Sequence, residues 1–186
     1  MKNNFKQLKK EVLNILQNGR PDWDIPHTLT SVYYIKKLLK KEGGNAKILI
    51  TTMYLHDIGY SWVRRDLNKR DNVIKSKLDH MKNGVIFGRQ ILDKLNYADD
   101  EKKQILHLIG IHDNLNDIFD TNKQLVFEAD SLAQIDTKRA KSNLNNEDRI
   151  KFINGFEEKR LPKFKTKTGI KLVGKLFKRA KKFYLK

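Results

Sequence analysis

Histidine and aspartate are the residues of this sequence whose types and spacing could support metal chemistry. The chain has five histidines and no cysteine. Disulfide bonds and thiolate ligands are therefore excluded, and His, Asp and Glu are the strong ligands that remain. Mixed imidazole and carboxylate ligation without sulfur suits Mn²⁺, Fe²⁺, Co²⁺, Ni²⁺ or Zn²⁺ better than Ca²⁺.

The dipeptide His56-Asp57 is the starting point for such a site, because it ends the most apolar predicted helix. Neighbouring residues on a helix point about 100° apart, so both side chains can reach one ion beside the helix. Polar groups at the edge of a core cost free energy unless they are paired or bound to a metal. His27 and Asp130, at the ends of neighbouring predicted helices, would complete a set of two nitrogen and two oxygen ligands, and Gly59 leaves room for a cavity.

The elements that must position these residues are helices. Apolar residues recur at helical spacing and predict helices at about 3–18, 27–42, 45–59, 78–95, 99–112, 123–135 and 147–158, with a last one from 168. No strand of useful length is predicted. Residues 20–26 are predicted as a loop, and 61–77 as a long loop of the kind that is often functional. We therefore expect an all-α fold, a compact bundle of about six to eight helices.

The order His27, His56-Asp57, His80, His112, Asp130 resembles the HD superfamily of metal-dependent phosphohydrolases. The resemblance covers roughly residues 5–137. Its most specific pieces are Leu55-His56-Asp57-Ile58-Gly59 and Glu128-Ala129-Asp130-Ser131-Leu132. A His-Asp dipeptide alone is common, but here it ends an apolar helix, with a histidine upstream and an aspartate downstream at the spacing of the family.

The resemblance implies that His27, His56, Asp57 and Asp130 bind a divalent metal ion, whether Mn, Fe, Co, Ni, Zn or Mg. His80 and His112 correspond to the extra histidines that, in some branches, bind a second metal or contact the substrate phosphate. One branch has paired histidines where this chain has His112-Asp113. We therefore favour a single metal, with His80 and His112 facing the phosphate.

The chemistry implied is hydrolysis of a phosphoester or phosphoanhydride in a nucleotide or a related small phosphorylated metabolite. The metal would lower the pKa of a bound water and polarise a phosphoryl oxygen. His80 and His112 could stabilise the developing charge, and Asp57 could orient the attacking water while remaining a ligand. In the loop after the site, the candidate phosphate contacts are Arg64, Arg65 and Lys69.

Each of these side chains also has a purely structural interpretation. A single histidine at a helix end is more often a cap than a ligand, and this is the interpretation that we favour for His107. In a chain this rich in lysine, basic residues of a loop can simply be solvated. Asp113 and Glu128 are expected to be solvated or to support the ligands. Trp23 and Trp62 could wall the pocket, although packing roles are favoured for both.

The positive charge of the chain, +17 in total, is concentrated at the C-terminus. Residues 137–186 carry 17 Lys and Arg against 4 Asp and Glu. We divide the chain into an HD-type domain, 1–137, and a basic helical segment, 138–186, that packs on the domain or extends it. From Ile170 onward one helix face is apolar, and the other carries Lys171, Lys175, Lys178, Lys181, Lys182 and Lys186.

The basic helix leaves two functional interpretations open. Its lysine face could bind the phosphates of a nucleic acid or an anionic membrane surface, which would make the protein a nucleic-acid-binding or regulatory protein on an HD scaffold. We favour the alternative, in which its apolar face covers the core and its lysines are solvated. No apolar stretch is long enough to span a membrane and no signal peptide is recognised, so we expect a cytoplasmic protein; the oligomeric state is left open.

Overall fold

A computed structural model describes residues 2–67, 69–116, 118, 120–142 and 144–185. These residues form nine α helices and two short 3₁₀ helices, and no strand occurs among them. The helices are α1 (Lys2–Leu16), α2 (Pro21–Glu42), α3 (Ala46–Leu55), α4 (Arg70–Lys75), α5 (Lys77–Lys94), α6 (Asp99–Ile111), α7 (Thr121–Ile135), α8 (Asn146–Lys159) and α9 (Lys167–Tyr184). The 3₁₀ helices are Ile58–Trp62 and Leu161–Lys163. The prediction of an all-α bundle is confirmed.

Polar side chains begin several of these helices at the residues where the chain turns into them. The side-chain oxygen of Asn45 accepts from the backbone N–H groups of Lys47 and Ile48 at the start of α3. In the same way Asp120, Asn145 and Thr166 cap α7, α8 and α9. Each cap satisfies an N–H group that has no partner within its helix, so these four boundaries are set by the local sequence.

Two predicted loops are in fact partly helical. The helix α2 begins at Pro21, six residues before the predicted start, and Pro26 lies inside it. Pro21 is accommodated because the first residues of a helix need no N–H partner, and the Asp24 carboxylate accepts from the backbone N–H of Arg20 at 2.8 Å. The predicted loop 61–77 contains the end of the first 3₁₀ helix and α4. A six-residue helix is too short to produce a recognisable periodicity.

The core surrounds α3, in which every residue from Ile48 to Leu55 is buried. This helix contacts α1, α2, α6 and α7, while α5 packs against α6 and the first 3₁₀ helix. Residues 123–133 of α7 are all buried as well. The polar side chains within these two buried stretches therefore do not contact bulk solvent, and each must face a cavity or pair with another group of the protein.

Two glycines permit close packing around α5: Gly59 lets the segment after His56-Asp57 approach α5, and Gly84 of α5 lets α6 approach it. A Cβ atom on Gly59 would lie 1.9 Å from the backbone oxygen of His80, and one on Gly84 would lie 2.9 Å from Cγ2 of Ile109. Neither separation is possible for real atoms without a shift of the backbone or of a packed side chain. The Gly59 of the sequence motif thus brings His80 next to Asp57.

The C-terminal helices share the core of the rest of the chain. The helix α9 contacts α2, α7 and α8, and its residues Val173, Leu176, Phe177, Ala180 and Tyr184 belong to the hydrophobic cluster that also contains α3. Its apolar face is therefore covered. Lys171, Lys175, Lys178 and Lys182 are exposed and Lys181 is partly buried, whereas Lys186 lies outside the described residues. None of the described helices is long and apolar enough to cross a membrane.

The buried carboxylate of Glu128 holds the start of α9 against α7. Its Oε1 accepts from the backbone N–H groups of Lys165 and Thr166 at 2.8 and 2.9 Å, and Oε2 accepts from the Thr166 hydroxyl at 2.5 Å. Glu128 therefore has a structural role. The division of the chain at residue 137 remains a proposal.

Candidate metal centre

Four histidines and two aspartates from five separate segments meet in one buried cluster, which we call the metal centre: His27, His56, Asp57, His80, His112 and Asp130. Each of the six has less than a tenth of its surface exposed. Around His27, the Nε2 atom lies 3.1 Å from Oδ1 of Asp130, 3.3 Å from Oδ2 of Asp57 and 3.3 Å from Nε2 of His56. His27, His56 and Asp130 thus form one group of potential ligands.

A second group of ligand atoms surrounds the other oxygen of Asp57. Oδ1 of Asp57 lies 3.3 Å from Nε2 of His112 and 3.6 Å from Nε2 of His80, and these two nitrogens are 3.2 Å apart. Asp57, His80 and His112 form the second group. Asp57 therefore turns one carboxylate oxygen towards each group and bridges the two.

Helix ends and close packing place these side chains. His56 is the C-cap of α3 and His112 is the C-cap of α6. His80 lies in the first turn of α5, and the ring of Tyr60 stacks on it with a centroid separation of 4.0 Å. The Nζ of the fully buried Lys123 donates to the backbone oxygens of Ile111 and His112, which satisfies carbonyl groups at the end of α6.

Hydrogen bonds fix which nitrogen of three histidines faces the cluster. Nδ1 of His56 donates to the Met53 carbonyl at 2.9 Å, Nδ1 of His112 to the Ile109 carbonyl at 2.8 Å, and Nδ1 of His80 to the Ser76 carbonyl at 3.2 Å. A carbonyl oxygen can only accept, so Nδ1 carries the hydrogen in each ring. In the neutral ring the lone pair of Nε2 then points into the cluster, which is the arrangement of metal-binding histidines.

His27 is oriented differently. Its Nδ1 is buried and has no hydrogen-bond partner in the part of the chain that is described. The ring of Trp23 instead stacks on it, with centroids 5.2 Å apart and an interplanar angle of 13°. Trp23 therefore supports a member of the metal centre, while Trp62 stacks on Phe87 and is 39% exposed.

The cluster requires positive charge at its centre. Burial lowers the pKa of His27, but hydrogen bonds and charge from Asp130 and Asp57 outweigh this and raise it to about 9. Burial raises the pKa of Asp57 and Asp130, yet the surrounding histidines hold both well below the usual carboxyl range. Burial and the neighbouring His112 lower the pKa of His80 to about 4. Ionised carboxylates and convergent lone pairs need protons or metal cations between them.

The donor set fits divalent metal ions. Ligand atoms bonded at about 2.1 Å around a tetrahedral ion lie about 3.4 Å apart, and the nitrogen–oxygen distances given above range from 3.1 to 3.6 Å. Besides the bridging Asp57, one side offers two imidazoles and the carboxylate of Asp130, and the other side offers two imidazoles. The expectation of a divalent metal cofactor is therefore supported by the geometry, and the same geometry offers two positions where we favoured one.

The preference for a single metal, with His80 and His112 facing a phosphate, rested on the replacement of a second histidine by Asp113. The Nε2 atoms of both histidines instead face Asp57 and each other. Asp113 is turned away from them towards two cations: it pairs with Arg160 and, at 2.9 Å, with Nζ of Lys77. Burial raises the pKa of the Asp113 carboxyl, but Arg160 and Lys77 outweigh this and hold it below its usual value.

Arg160 was not recognised in the sequence and lies next to the metal centre. Its guanidinium donates to Oδ2 of Asp130 at 3.0 Å and to the hydroxyl of Ser131 at 2.8 Å, and it also pairs with Asp113. It fixes the Asp130 carboxylate so that the other oxygen faces His27. Arg160 lies 30 residues after Asp130 at the end of α8, and its sequence neighbourhood carries no recognisable motif.

A cavity of about 370 Å³ opens onto the metal centre. His27, Asp57, His112 and Asp130 contribute to its wall together with Tyr60 and Trp23. The basic residues of the wall are Arg20, Arg70, Lys77, Lys159 and Arg160. The structure does not bring Arg64, Arg65 or Lys69 to this wall: all three are exposed, and Arg65 pairs with Asp79. The first 3₁₀ helix and α4 carry that segment along the outside of the domain.

Sequence comparison identifies the family of the chain. The family model described as HD domain matches residues 25–135, which include all six members of the metal centre and more than half of the chain. No curated protein and no solved structure gave a significant match. Because the match and the buried histidine–aspartate cluster agree, we conclude that the chain belongs to the HD superfamily of metal-dependent phosphohydrolases.

Proposed function

We propose that the protein hydrolyses a phosphoester or phosphoanhydride bond in a nucleotide or a related small phosphorylated metabolite, using divalent metal ions at the metal centre. The observation that carries this proposal is the cluster of six potential ligands opening into a cavity with basic walls. In hydrolysis, an oxygen from water forms a new bond to phosphorus while the bond to the leaving group breaks, and a proton reaches the leaving oxygen.

His27, His56 and Asp130 would hold one ion, His80 and His112 would hold a second, and Asp57 would contact both. Bound there, divalent ions supply a water of lowered pKa and an electrophile for a phosphoryl oxygen. Four imidazole nitrogens favour Mn, Fe, Co, Ni or Zn over Mg. The backbone carbonyls that fix the Nδ1 hydrogens hold His56, His80 and His112 in the binding orientation before any ion arrives.

The remaining chemistry is assigned to residues of the cavity wall. Arg160 and Lys77 lie beside the ligands and are suited to balance the negative charge of a phosphoryl group. Arg70 and Lys159 line the same cavity, and no carboxylate of the described residues lies within ion-pair distance of either. We assign to these four residues the phosphate contacts that we had expected from Arg64, Arg65 and Lys69.

The enclosure of the site supports a small substrate. A volume of about 370 Å³ falls near the lower end of the range for small-molecule pockets, about 300–1,000 Å³. Burial of the six ligands excludes bulk water from the reacting groups and strengthens the electrostatic interactions among them. A cytoplasmic location remains a proposal.

Elemental analysis of the purified protein, followed by a panel of nucleotides and phosphoesters with the metal supplied, tests this proposal. We expect up to two metal ions per chain, loss of one in His80→Ala, and loss of both metal and turnover in Asp57→Asn. Asp99→Asn is the matched control, because this aspartate is 97% exposed and distant from the cavity wall. A wild-type protein that binds no divalent metal and releases no phosphate would refute the proposal.

A second candidate function is nucleic-acid binding through the basic C-terminal region. The supporting observation is a groove lined by Thr137, Lys138, Lys141, Arg179, Lys182 and Phe183. Among the described residues, no carboxylate pairs with its four basic side chains. Nucleic-acid binding there would depend strongly on salt concentration, and an aromatic ring in a basic groove could stack on a base.

Substitutions on the surface test this second candidate better than truncation before Thr166, since truncation would remove part of the core. We expect Lys138→Gln combined with Lys182→Gln to weaken nucleic-acid binding and reduce its salt dependence, with small-substrate hydrolysis unchanged. Lys171→Gln, which changes a lysine of α9 outside the groove, is the control. Affinity that does not vary with salt would argue against phosphate contacts.

A further inference from the structure

The helix α8 forms one wall of the cavity, although it lies outside the residues matched by the family model. Phe152, Gly155, Phe156 and Lys159 all line the cavity. These positions have the spacing i, i+3, i+4 and i+7, so they share one face of the helix. The helix thus presents a continuous surface to the site, made of two aromatic rings, a glycine and a lysine.

This wall is fixed relative to the metal centre at both of its ends. Near the C-terminal end, Arg160 binds Oδ2 of Asp130, a member of the centre, at 3.0 Å. On the other side, Phe152 packs edge-on against Tyr184 of α9, with a centroid separation of 5.7 Å. Tyr184 is buried in the core. A group bound against α8 would therefore lie at a defined distance from the phosphate.

The cavity wall has an apolar part as well as a basic one. Apolar side chains reach it from four segments and are contributed by Val73, Ile74, Leu115, Leu144, Phe152 and Phe156. Hydrolysis of a phosphate group by itself would not need this apolar surface. A small-molecule pocket with aromatic and aliphatic walls and a few polar groups is typical of a site that buries an organic group.

We propose that α8 selects the substrate, and that it accepts a phosphoester or phosphoanhydride whose leaving group carries one planar aromatic group of nucleobase size. This inference rests on the proposed function and adds the residues that determine its specificity. Gly155 provides the space: a Cβ atom there would have only Nη2 of Arg70 within 4 Å, at 3.5 Å. A larger side chain at 155 is therefore tolerated by its neighbours and extends into the space for the aromatic group.

The test compares substrates that share the scissile bond and differ only in the aromatic group. Adenosine 5′-monophosphate is paired with ribose 5-phosphate, and 2-phenylethyl phosphate with ethyl phosphate. We expect wild-type protein to prefer the aromatic member of each pair in kcat/KM by about tenfold or more. Gly155→Leu should lower kcat/KM for the adenosine compound by a larger factor than for ribose 5-phosphate, so that the preference is lost.

Gly174→Leu is the matched control. Gly174 is also a helical glycine, in α9, and an added Cβ atom would meet nothing within 4 Å. Gly174→Leu should leave kcat/KM unchanged for both substrates of each pair. Phe152→Ala is a second variant that enlarges the wall instead of filling it, and we expect it to raise KM for the aromatic member with little change for the other.

Direct binding gives a readout that does not depend on turnover. Trp23 lines the cavity, whereas Trp62 lies elsewhere, so in a Trp62→Phe background the fluorescence of Trp23 reports on the site. Adenosine should bind to this protein and fail to bind after Gly155→Leu.

The possible failures can be told apart. If the protein binds no metal and releases no phosphate from any substrate, whatever its leaving group, the proposed function is refuted. Hydrolysis without an aromatic preference, or an equal loss for both members of a pair in Gly155→Leu, refutes the specificity role of α8.

Discussion

The chain contains the dipeptide His-Asp twice, and the two copies have the same local structure. His56 and His112 are both C-caps with helical backbone angles, φ −55° and ψ −40° for one and φ −58° and ψ −36° for the other. Each donates from Nδ1 to the carbonyl three residues earlier, at 2.9 and 2.8 Å. The two histidines are therefore presented to the metal centre in the same way.

The aspartates of the two dipeptides have opposite surroundings. Asp57 is enclosed by imidazole nitrogens, and its negative charge is balanced by protons on these rings or by a bound metal ion. Asp113 is neutralised by Arg160 and Lys77, which are part of the chain. The same short sequence at the same kind of helix end thus contributes potential metal ligands in one case and an aspartate paired with cations of the chain in the other.

The largest expected effect separates the two aspartates. Asp57→Asn removes the carboxylate that bridges both ligand groups, so we expect metal content and phosphohydrolase activity to fall to background. Asp113→Asn should keep the metal. Elemental analysis and phosphate release on the two purified variants measure this difference, and equal metal loss in both would show that the two dipeptides are functionally alike.

The second largest expected effect concerns the residues that follow the two dipeptides, and it is an effect on stability. Two positions after Asp57 stands Gly59, which has no space for a side chain, whereas Leu115 stands two positions after Asp113. We expect Gly59→Ala to destabilise the fold by about 3 kcal/mol or more, because it forces the backbone of α5 away. Leu115→Ala, at a half-buried position, should cost clearly less. Denaturant unfolding of both variants decides this, and similar midpoints would contradict the packing argument.

The charge balance at the second dipeptide should affect activity to an intermediate degree. Loss of a group that orients a metal ligand typically costs about 10- to 100-fold. We expect a decrease in this range for Arg160→Gln, which frees the Asp130 carboxylate, and a similar or smaller decrease for Asp113→Asn. Steady-state kinetics at saturating metal are the measurement. Activity within twofold of wild type for Arg160→Gln would remove it from the site.

The smallest expected effect concerns the support of His27 by stacking. Nδ1 of His27 has no hydrogen-bond partner among the described residues, and the ring of Trp23 orients His27 by stacking on it. Trp23→Leu removes this ring. We expect metal affinity to weaken by less than about tenfold, at the mild end of the range for groups that orient ligands. Trp62→Leu, at the stack with Phe87, is the control and should not change affinity. A competition titration with a metal chelator compares the two variants.

Much of the fold, and the histidines and aspartates that converge at the candidate site, could be predicted from the sequence. Helical periodicity gave the type of fold and most helices, because amphipathic segments of ten or more residues repeat the signal several times. It missed α4 and the first residues of α2, which are too short or contain proline. The spacing of the histidines and aspartates predicted which side chains would converge, because it resembles the pattern of a known family. Without that resemblance, one sequence does not show which distant residues are in contact.

The sequence by itself determined most of the helices and the absence of sulfur ligands, both of which follow from residue type and local spacing. Tertiary structure alone decided that Asp57 faces both histidine pairs and that Asp113 faces Arg160. It also decided that the basic wall is formed by Arg20, α4, α5 and the end of α8, and not by residues 64–69. The physical reason is that charge balance in a buried site depends on which side chains are brought within a few ångströms. That proximity is set by packing between segments that are distant in the chain.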